Sequence, residues 1–368
     1  MKISRIDIKS FRNYQEVSLA KLKQVNIITG DNNTGKTTLL ESVYLNCAAD
    51  TVGAITELFS YRNERTVDVD TDLYYNFKNL FNLKTKENTI SIDSDHNDTL
   101  ISKYDYVGAL DLDREVEERN MFESTKSRIK DSLIDVNNLD FSDIEIKNGE
   151  VKSNLTIHEF SRVFNSVKRD KHYRNFDNHI GFIDPGSKVT AGKISRLIKT
   201  QTYKEMMMPI IRLFEPDIND ILILTNSTES RMEVYLESVS KGLIPLSICG
   251  DGIKKLLDIS SELIKCVGGI LLIDEIETSF HISKYDKVFK FLLYVAVELD
   301  IQLFITTHSK EVIYSILKAK KYEDDEKDNI NVITLLNEDN KILTREIPGK
   351  KVFDNMVKET TKFAKLLN

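Results

Sequence analysis

Gly30-Asp31-Asn32-Asn33-Thr34-Gly35-Lys36-Thr37 spells a complete G-x-x-x-x-G-K-[ST] loop. The chain on either side gives it the expected setting. Val25 to Thr29 reads as a short strand, and Leu39, Leu40, Val43, Tyr44 and Cys47 recur at helical spacing. A strand, a glycine loop and a helix start turn backbone N–H groups and a helix N-terminus toward a polyphosphate. Lys36 then reaches the β- and γ-phosphates, and the Thr37 hydroxyl ligates Mg²⁺. The candidate nucleotide-binding positions here are Gly30, Asn32, Asn33, Thr34, Gly35, Lys36, Thr37 and Thr38. The implied ligand is a nucleoside triphosphate.

The second half of the chain supplies what such a loop needs. Gly269-Ile270-Leu271-Leu272-Ile273-Asp274-Glu275 is an apolar run closed by two acids, as a strand buried on both faces of a parallel sheet requires. Ligands of open α/β sheets bind at the carboxyl ends of strands, where both acids fall. Asp274 is placed to hold the metal through water, and Glu275 to orient or deprotonate an attacking water. A further strand, Ile301 to Thr306, runs into Thr307-His308-Ser309, and His308 could donate a hydrogen bond to the γ-phosphate. Leu246-Ser247-Ile248-Cys249-Gly250-Asp251-Gly252 precedes an apolar helix. It reads either as a second anion-binding device or as a plain helix cap.

Composition sets the bounds. The 368 residues are 41% hydrophobic and 30% charged, with 5 Pro and no Trp, which fits a globular protein of one large or two ordinary domains. The net charge of −7 provides no global basic field, so any nucleic-acid binding needs a local patch. Two such clusters are Lys126, Arg128 and Lys130, and Lys168, Arg169, Lys171 and Arg174. No apolar run approaches bilayer length, and the first residues lack a signal-peptide core. Cys47, Cys249 and Cys266 have no metal-ligand spacing, so the expected location is the cytoplasm, away from any membrane. Asp68, Asp70 and Asp72, like Asp111 and Asp113, read as solvated turn or strand edge. Asn148-Gly149 between alternating segments signals a hairpin, as does Asn226-Ser227 between Ile221–Leu224 and Met232–Leu236. Thr190 opens an amphipathic helix, and Pro209 opens or kinks the next segment. The expected organisation is an N-terminal lobe over 1–110, a lid or arm inserted over 111–185, and a C-terminal lobe over 186–368.

Taken in order, these stretches resemble a known group. Ser10-Phe11-Arg12-Asn13-Tyr14, the phosphate loop, Leu246–Gly252, Ile270–Glu275 with Glu277-Thr278-Ser279-Phe280-His281, and Thr306–Ser309 are similar to the motifs of ABC-type ATPases of the SMC, RecF and OLD-like group. The resemblance implies an α/β fold: an ABC-ATPase head with a mostly parallel central sheet, an antiparallel β subdomain and a helical/β insertion. It implies ATP and Mg²⁺ as cofactors, His308 as the switch histidine, and Arg12 and Asn13 near the nucleotide. It also implies that ATP is sandwiched between the phosphate loop of one copy and Ser247, Gly250 and Gly252 of another, hence a homodimer. Residues 277–281 would then lie at the dimer seam. The Ser-x-x-Gly-Asp-Gly signature departs from that of transporters, and Gln201 is the candidate for the Q-loop glutamine. About 60 residues follow His308, too few for the TOPRIM nuclease of OLD-like proteins, so a separate effector, a nuclease or toxin of anti-phage defence, is expected. The other implied role is an ATP-gated DNA clamp of RecF type. No Asn-Lys-x-Asp guanine-reading segment is present, which speaks against a GTPase.

Overall fold

Strands made only of apolar residues must be covered on both faces, and the chain builds one sheet from such strands. The computed structural model describes residues 1–61, 73–108, 139–158, 179–225, 232–320, 328–339 and 341–366. In chain order the strands are β1 (Ile6–Phe11), β2 (Tyr14–Leu19), β3 (Val25–Gly30), β4 (Thr89–Ser94), β5 (Asp98–Gly108), β6 (Leu139–Asn148), β7 (Val151–His158) and β8 (Ile180–Ile183). They continue with β9 (Ile218–Thr225), β10 (Met232–Ser238), β11 (Gly242–Pro245), β12 (Ile270–Ile273), β13 (Gln302–Thr306), β14 (Ile330–Glu338) and β15 (Lys341–Pro348). The helices are α1 (Lys36–Cys47), α2 (Thr51–Tyr61), α3 (Leu73–Lys78), α4 (Ala191–Lys199), α5 (Gln201–Phe214), α6 (Asp251–Lys265), α7 (Tyr285–Glu298), α8 (Lys310–Ala319) and α9 (Gly349–Leu366).

Contacts divide the chain into two units. The first contains residues 1–5, 19–40 and 178–368. Its six-stranded sheet runs β15-β14-β3-β13-β12-β8. The four pairings from β14 to β8 are parallel, and β15 adds one antiparallel edge. Strands β8, β12 and β13 are buried at every position. β15 instead alternates exposed and half-buried residues, and its Lys341, Arg345 and Glu346 suit a sheet edge. Helices α4 to α8 contribute to one apolar core with this sheet, and a small antiparallel sheet, β11-β10-β9, adds Ile218, Ile221, Val234 and Leu236. The α/β class with a mostly parallel sheet and separate antiparallel β structure is therefore what the chain adopts.

Helix α6 is buried almost all round, so its charges need partners inside the protein. Asp258 accepts from Ser187 at 2.6 Å and from the Lys193 ammonium, and Glu262 pairs with Arg196 at 3.2 Å. Lys255 donates to the Asp184 carbonyl at 2.8 Å. Burial pushes the Lys255 ammonium below its ordinary value, against the pull of Asp258 and Asp184.

The second unit contains residues 6–18 and 41–177. Its sheet runs β2-β1-β4-β5-β6-β7, antiparallel from β1 to β7. β4 alternates half-buried and buried residues, the pattern of a sheet with one covered face. The β6–β7 hairpin turns at Asn148-Gly149, with Gly149 at a φ of 58° that favours glycine. Asn148 also fastens the turn by donating to Ala48 O and Thr51 Oγ1 at 3.0 and 2.8 Å.

Several expectations need adjusting. Residues 180–183, placed in the 111–185 insertion, form β8 and pair in parallel with β12. The four-residue run Ile-Gly-Phe-Ile is too short to give a periodicity signal of its own. Residues 139–158, also placed in the insertion, continue the sheet of the second unit. Pro209 opens nothing: α5 begins eight residues earlier, at Gln201, and Pro209 sits inside it. Residues 111–138 and 159–178 of the insertion, with both basic clusters, the two acidic groups and the Asn226-Ser227 turn, lie outside the described residues. Among the described residues no helix is long and apolar enough to cross a membrane.

The start of β12 leaves no room for a side chain, because a Cβ on Gly269 would fall 1.8 Å from the His179 carbonyl oxygen. Gly269→Ala is expected to cost at least about 2 kcal/mol, read as a lowered midpoint of thermal or denaturant unfolding.

Candidate nucleotide site

The carboxyl ends of β3, β12 and β13 lie side by side in the first unit, and each ends in a functional loop. The loop after β3 is shaped by backbone that few residues tolerate. Gly30 and Gly35 have φ of 149° and 91°, and Asn33 is left-handed at 63°. A Cβ on Gly30 would sit 2.4 Å from the Leu335 carbonyl oxygen, so β14 also fixes this glycine. Thr34 is buried and donates to the Asp31 carbonyl at 2.9 Å, while Asn32 and Asn33 are exposed. The Lys36 ammonium folds back onto the loop, donating to the carbonyls of Gly30 and Asp31 at 3.0 and 2.8 Å. Burial pushes it below its ordinary value, opposed by the carboxylates of Asp274, Glu275, Asp31 and Glu277. A cation held in a loop of backbone amides, with its desolvation unrelieved, suits an anionic guest.

Asp274 is buried, and two hydroxyls hold it. Thr37 Oγ1 donates to Oδ2 at 2.8 Å, and Thr306 Oγ1 donates to Oδ1. Thr306 is itself fully buried and accepts the Glu275 N–H at 2.8 Å. One threonine thus orients both acids. The Asp274 N–H donates to the Ile183 carbonyl at 2.8 Å, carrying the β8 pairing one residue beyond β12. Glu275 adopts left-handed backbone, φ 46° and ψ 59°, which is uncommon away from glycine and recurs where a site fixes a side chain's direction. Among the described residues its carboxylate makes no hydrogen bond or ion pair.

No group of three or more His, Cys, Asp or Glu among the described residues could hold a metal alone. Thr37 and Asp274 offer a hydroxyl and a single carboxylate. That suits a small dication which keeps several waters and takes its remaining ligands from substrate phosphates. The donor set fits Mg²⁺ bound together with a nucleotide, and fits poorly with a freestanding metal.

His308 is exposed, directly after the buried Thr306-Thr307 pair. Its backbone N–H donates to Glu277 Oε1 at 2.8 Å. Ser247 and Gly250 are exposed ahead of α6, with Gly250 as the residue before its first turn and Gly252 within that turn. Gly250 has ordinary extended backbone, and nothing lies within 4 Å of a Cβ added there. Arg12 and Asn13 belong to the second unit, in the turn between β1 and β2, where Arg12 Nε lies 2.7 Å from the buried Glu41. Gln201 starts α5 and donates to Glu205 at 2.7 Å. The structure thus joins Lys36, Thr37, Asp274, Glu275 and the His308 loop in one unit. The reading of the residues missed Thr306 as a functional side chain. Its signal was a polar residue closing an otherwise apolar strand beside one that ends in acids.

Thr306→Val keeps the shape but leaves Asp274 Oδ1 and the Glu275 N–H without their shared partner. The expected loss is about 1–3 kcal/mol of stability, read by denaturant unfolding, together with slower nucleotide hydrolysis.

Residues 1–313 match the family described as AAA ATPase domain. An ATP/GTP phosphatase of Helicobacter pylori is 24% identical over 370 residues, covering 95% of this chain and 96% of that protein. The DNA replication and repair protein RecF of Idiomarina loihiensis is 51% identical over 45 residues, 12% of this chain and 13% of its own length. Among solved structures, an SMC head bound to the C-winged helix domain of ScpA aligns with a TM-score of 0.49 and 11% identity, covering 96% of this chain and 100% of the other. The SMC head domain from Thermotoga maritima aligns with a TM-score of 0.42 and 13% identity, over 95% and 99%. Since the family match runs from the first strand past the His308 loop, it takes in every side chain of the site, and the chain belongs to the AAA ATPase domain family.

Proposed function

We propose that this ATPase is a dimerising molecular switch that controls a separate effector, a nuclease or toxin, in bacterial anti-phage defence. The observation that carries the hydrolytic half is Asp274, pinned by Thr37 and Thr306 beside an unengaged Glu275. In this reading the 30–38 loop cradles the phosphates and Lys36 exchanges its carbonyl partners for phosphate oxygens. Thr37 and Asp274 hold Mg²⁺, which supplies charge neutralisation to the β- and γ-phosphates when bound. Glu275 accepts a proton from the water that attacks the γ-phosphorus as the bond to the β-γ bridging oxygen breaks, releasing ADP and phosphate. His308 donates to a γ-phosphate oxygen.

The dimer rests on Gly250. Its backbone needs no glycine and the described part of the chain leaves its Cβ position open, which supports a reading in which the space is kept for an outside partner. A phosphate on a second copy, met by Ser247, Gly250 and Gly252 at the start of α6, is the fitting visitor. ATP then closes two copies and hydrolysis parts them. The short match to RecF supports a second reading, an ATP-gated DNA clamp. Salt-sensitive DNA binding that needs ATP would favour it, and none at low salt excludes it. A nuclease or toxin reading frame beside the gene favours the switch, and a replication or repair operon the clamp.

Glu275→Gln is expected to lower ATP turnover about a hundredfold or more while retaining nucleotide binding, and to accumulate as an ATP-bound dimer in size-exclusion chromatography. Turnover equal to wild type removes Glu275 from the chemistry, and a monomer at every ATP concentration removes the sandwich. Gly250→Ala is expected to change folding stability by less than about 1 kcal/mol yet slow hydrolysis at least tenfold, as judged by paired unfolding and turnover measurements.

A further inference from the structure

The loops after β12 and β13 are fastened together at two points. One is the Thr306 hydroxyl already described. The other is Glu277, which lies in the short 3-10 turn Ile276–Ser279, two residues beyond Glu275. Its Oε1 accepts the backbone N–H of His308 at 2.8 Å. That turn is itself braced, since the Glu275 carbonyl accepts from both the N–H and the hydroxyl of Thr278, at 3.1 and 3.0 Å. On the other side, the Thr307 N–H donates to the Ile28 carbonyl, and Ser309 caps α8 by accepting from Val312 N at 3.1 Å. His308 is therefore held by a rigid residue on either side and by one side chain across the gap. Glu277 Oε2 is buried and, among the described residues, has no hydrogen-bond partner. A carboxylate oxygen is not left in that state for packing alone, because an aliphatic side chain would fill the space without desolvating a charge.

We propose that Glu277 is a positioning residue for ATP hydrolysis: through the His308 backbone it sets where the imidazole stands relative to the γ-phosphate, on the same stretch of chain that carries Glu275. The inference rests on the reading of His308 given above. Glu277 touches neither nucleotide nor water in this scheme. What matters is an oxygen acceptor at the reach of a glutamate side chain, so length decides and charge does not.

The test is ATP turnover and nucleotide affinity across Glu277→Gln, Glu277→Asp and Glu277→Ala, with His308→Ala as the reference background. Gln keeps an acceptor at the right reach and is expected to stay within about threefold of wild-type kcat. Asp retracts the acceptor by one methylene, and Asp and Ala are expected to lose about tenfold or more in kcat with nucleotide affinity changed less than about threefold. Placed on His308→Ala, Glu277→Asp is expected to cost nothing further, a non-additivity that a merely structural residue does not produce. The Asp and Gln variants alone decide the matter if the Ala variant does not fold. Activity retained by Asp and lost by Gln, or losses that add to those of His308→Ala, overturn the proposal. If His308→Ala itself turns over ATP like wild type, the fault lies with the His308 reading.

Discussion

The arrangement turns on one buried carboxylate gripped from the start of a helix and the end of a strand. Asp274 is buried, and the hydroxyls of Thr37 and Thr306 each donate to one of its carboxylate oxygens. Those hydroxyls come from the residue after the phosphate-loop lysine and from the last residue of the neighbouring strand. The sheet order β3-β13-β12 is thus written into the electrostatics of a single side chain. Were β13 not between the other two, Thr306 could not reach Asp274 and the Glu275 N–H together. The same hydroxyl leaves the Glu275 backbone in a left-handed bend, so the uncommon conformation is stabilised by the bond it makes possible.

Much of this was legible before any coordinates. The phosphate loop, the apolar strand ending in Asp274-Glu275 and the strand ending at Thr306 all lie where their local patterns put them, because each pattern is imposed by burial on both faces. The Asn148-Gly149 hairpin was equally plain, since its turn needs positive φ. The less legible parts share a cause. β8 is four residues long and contains a glycine, so nothing local separates it from a loop, and only its pairing with β12 makes it a strand. Pro209 reads by local rules as a helix start or a kink; α5 carries it internally, with Met207, Met208, Ile210 and Ile211 around it buried. In the site, Thr306 was read only as the end of a strand and Glu277 only as part of the 277–281 segment, because the bonds they make join stretches that are remote in sequence.

The two halves of the nucleotide chemistry differ in how the fold treats them. Asp274 and Thr306 are buried and bonded to each other within the described structure, so their geometry is set at folding. Ser247, Gly250 and His308 are exposed. In the proposed switch, that contrast leaves one side prepared in advance and the other completed on arrival.

Helix α6 adds a mechanical point. Its start at Gly250 is exposed, while its body holds Lys255, Asp258 and Glu262 in fixed partnerships with the Asp184 carbonyl, Lys193, Ser187 and Arg196. Turning the helix about its axis by even one residue, about 100°, would tear these partners apart and set buried charges against hydrocarbon. The low-cost displacement left is to slide or tilt as a stiff rod with the 184–196 segment attached. A touch at Gly250 would then be felt at the end of β8, one hydrogen bond away from Asp274.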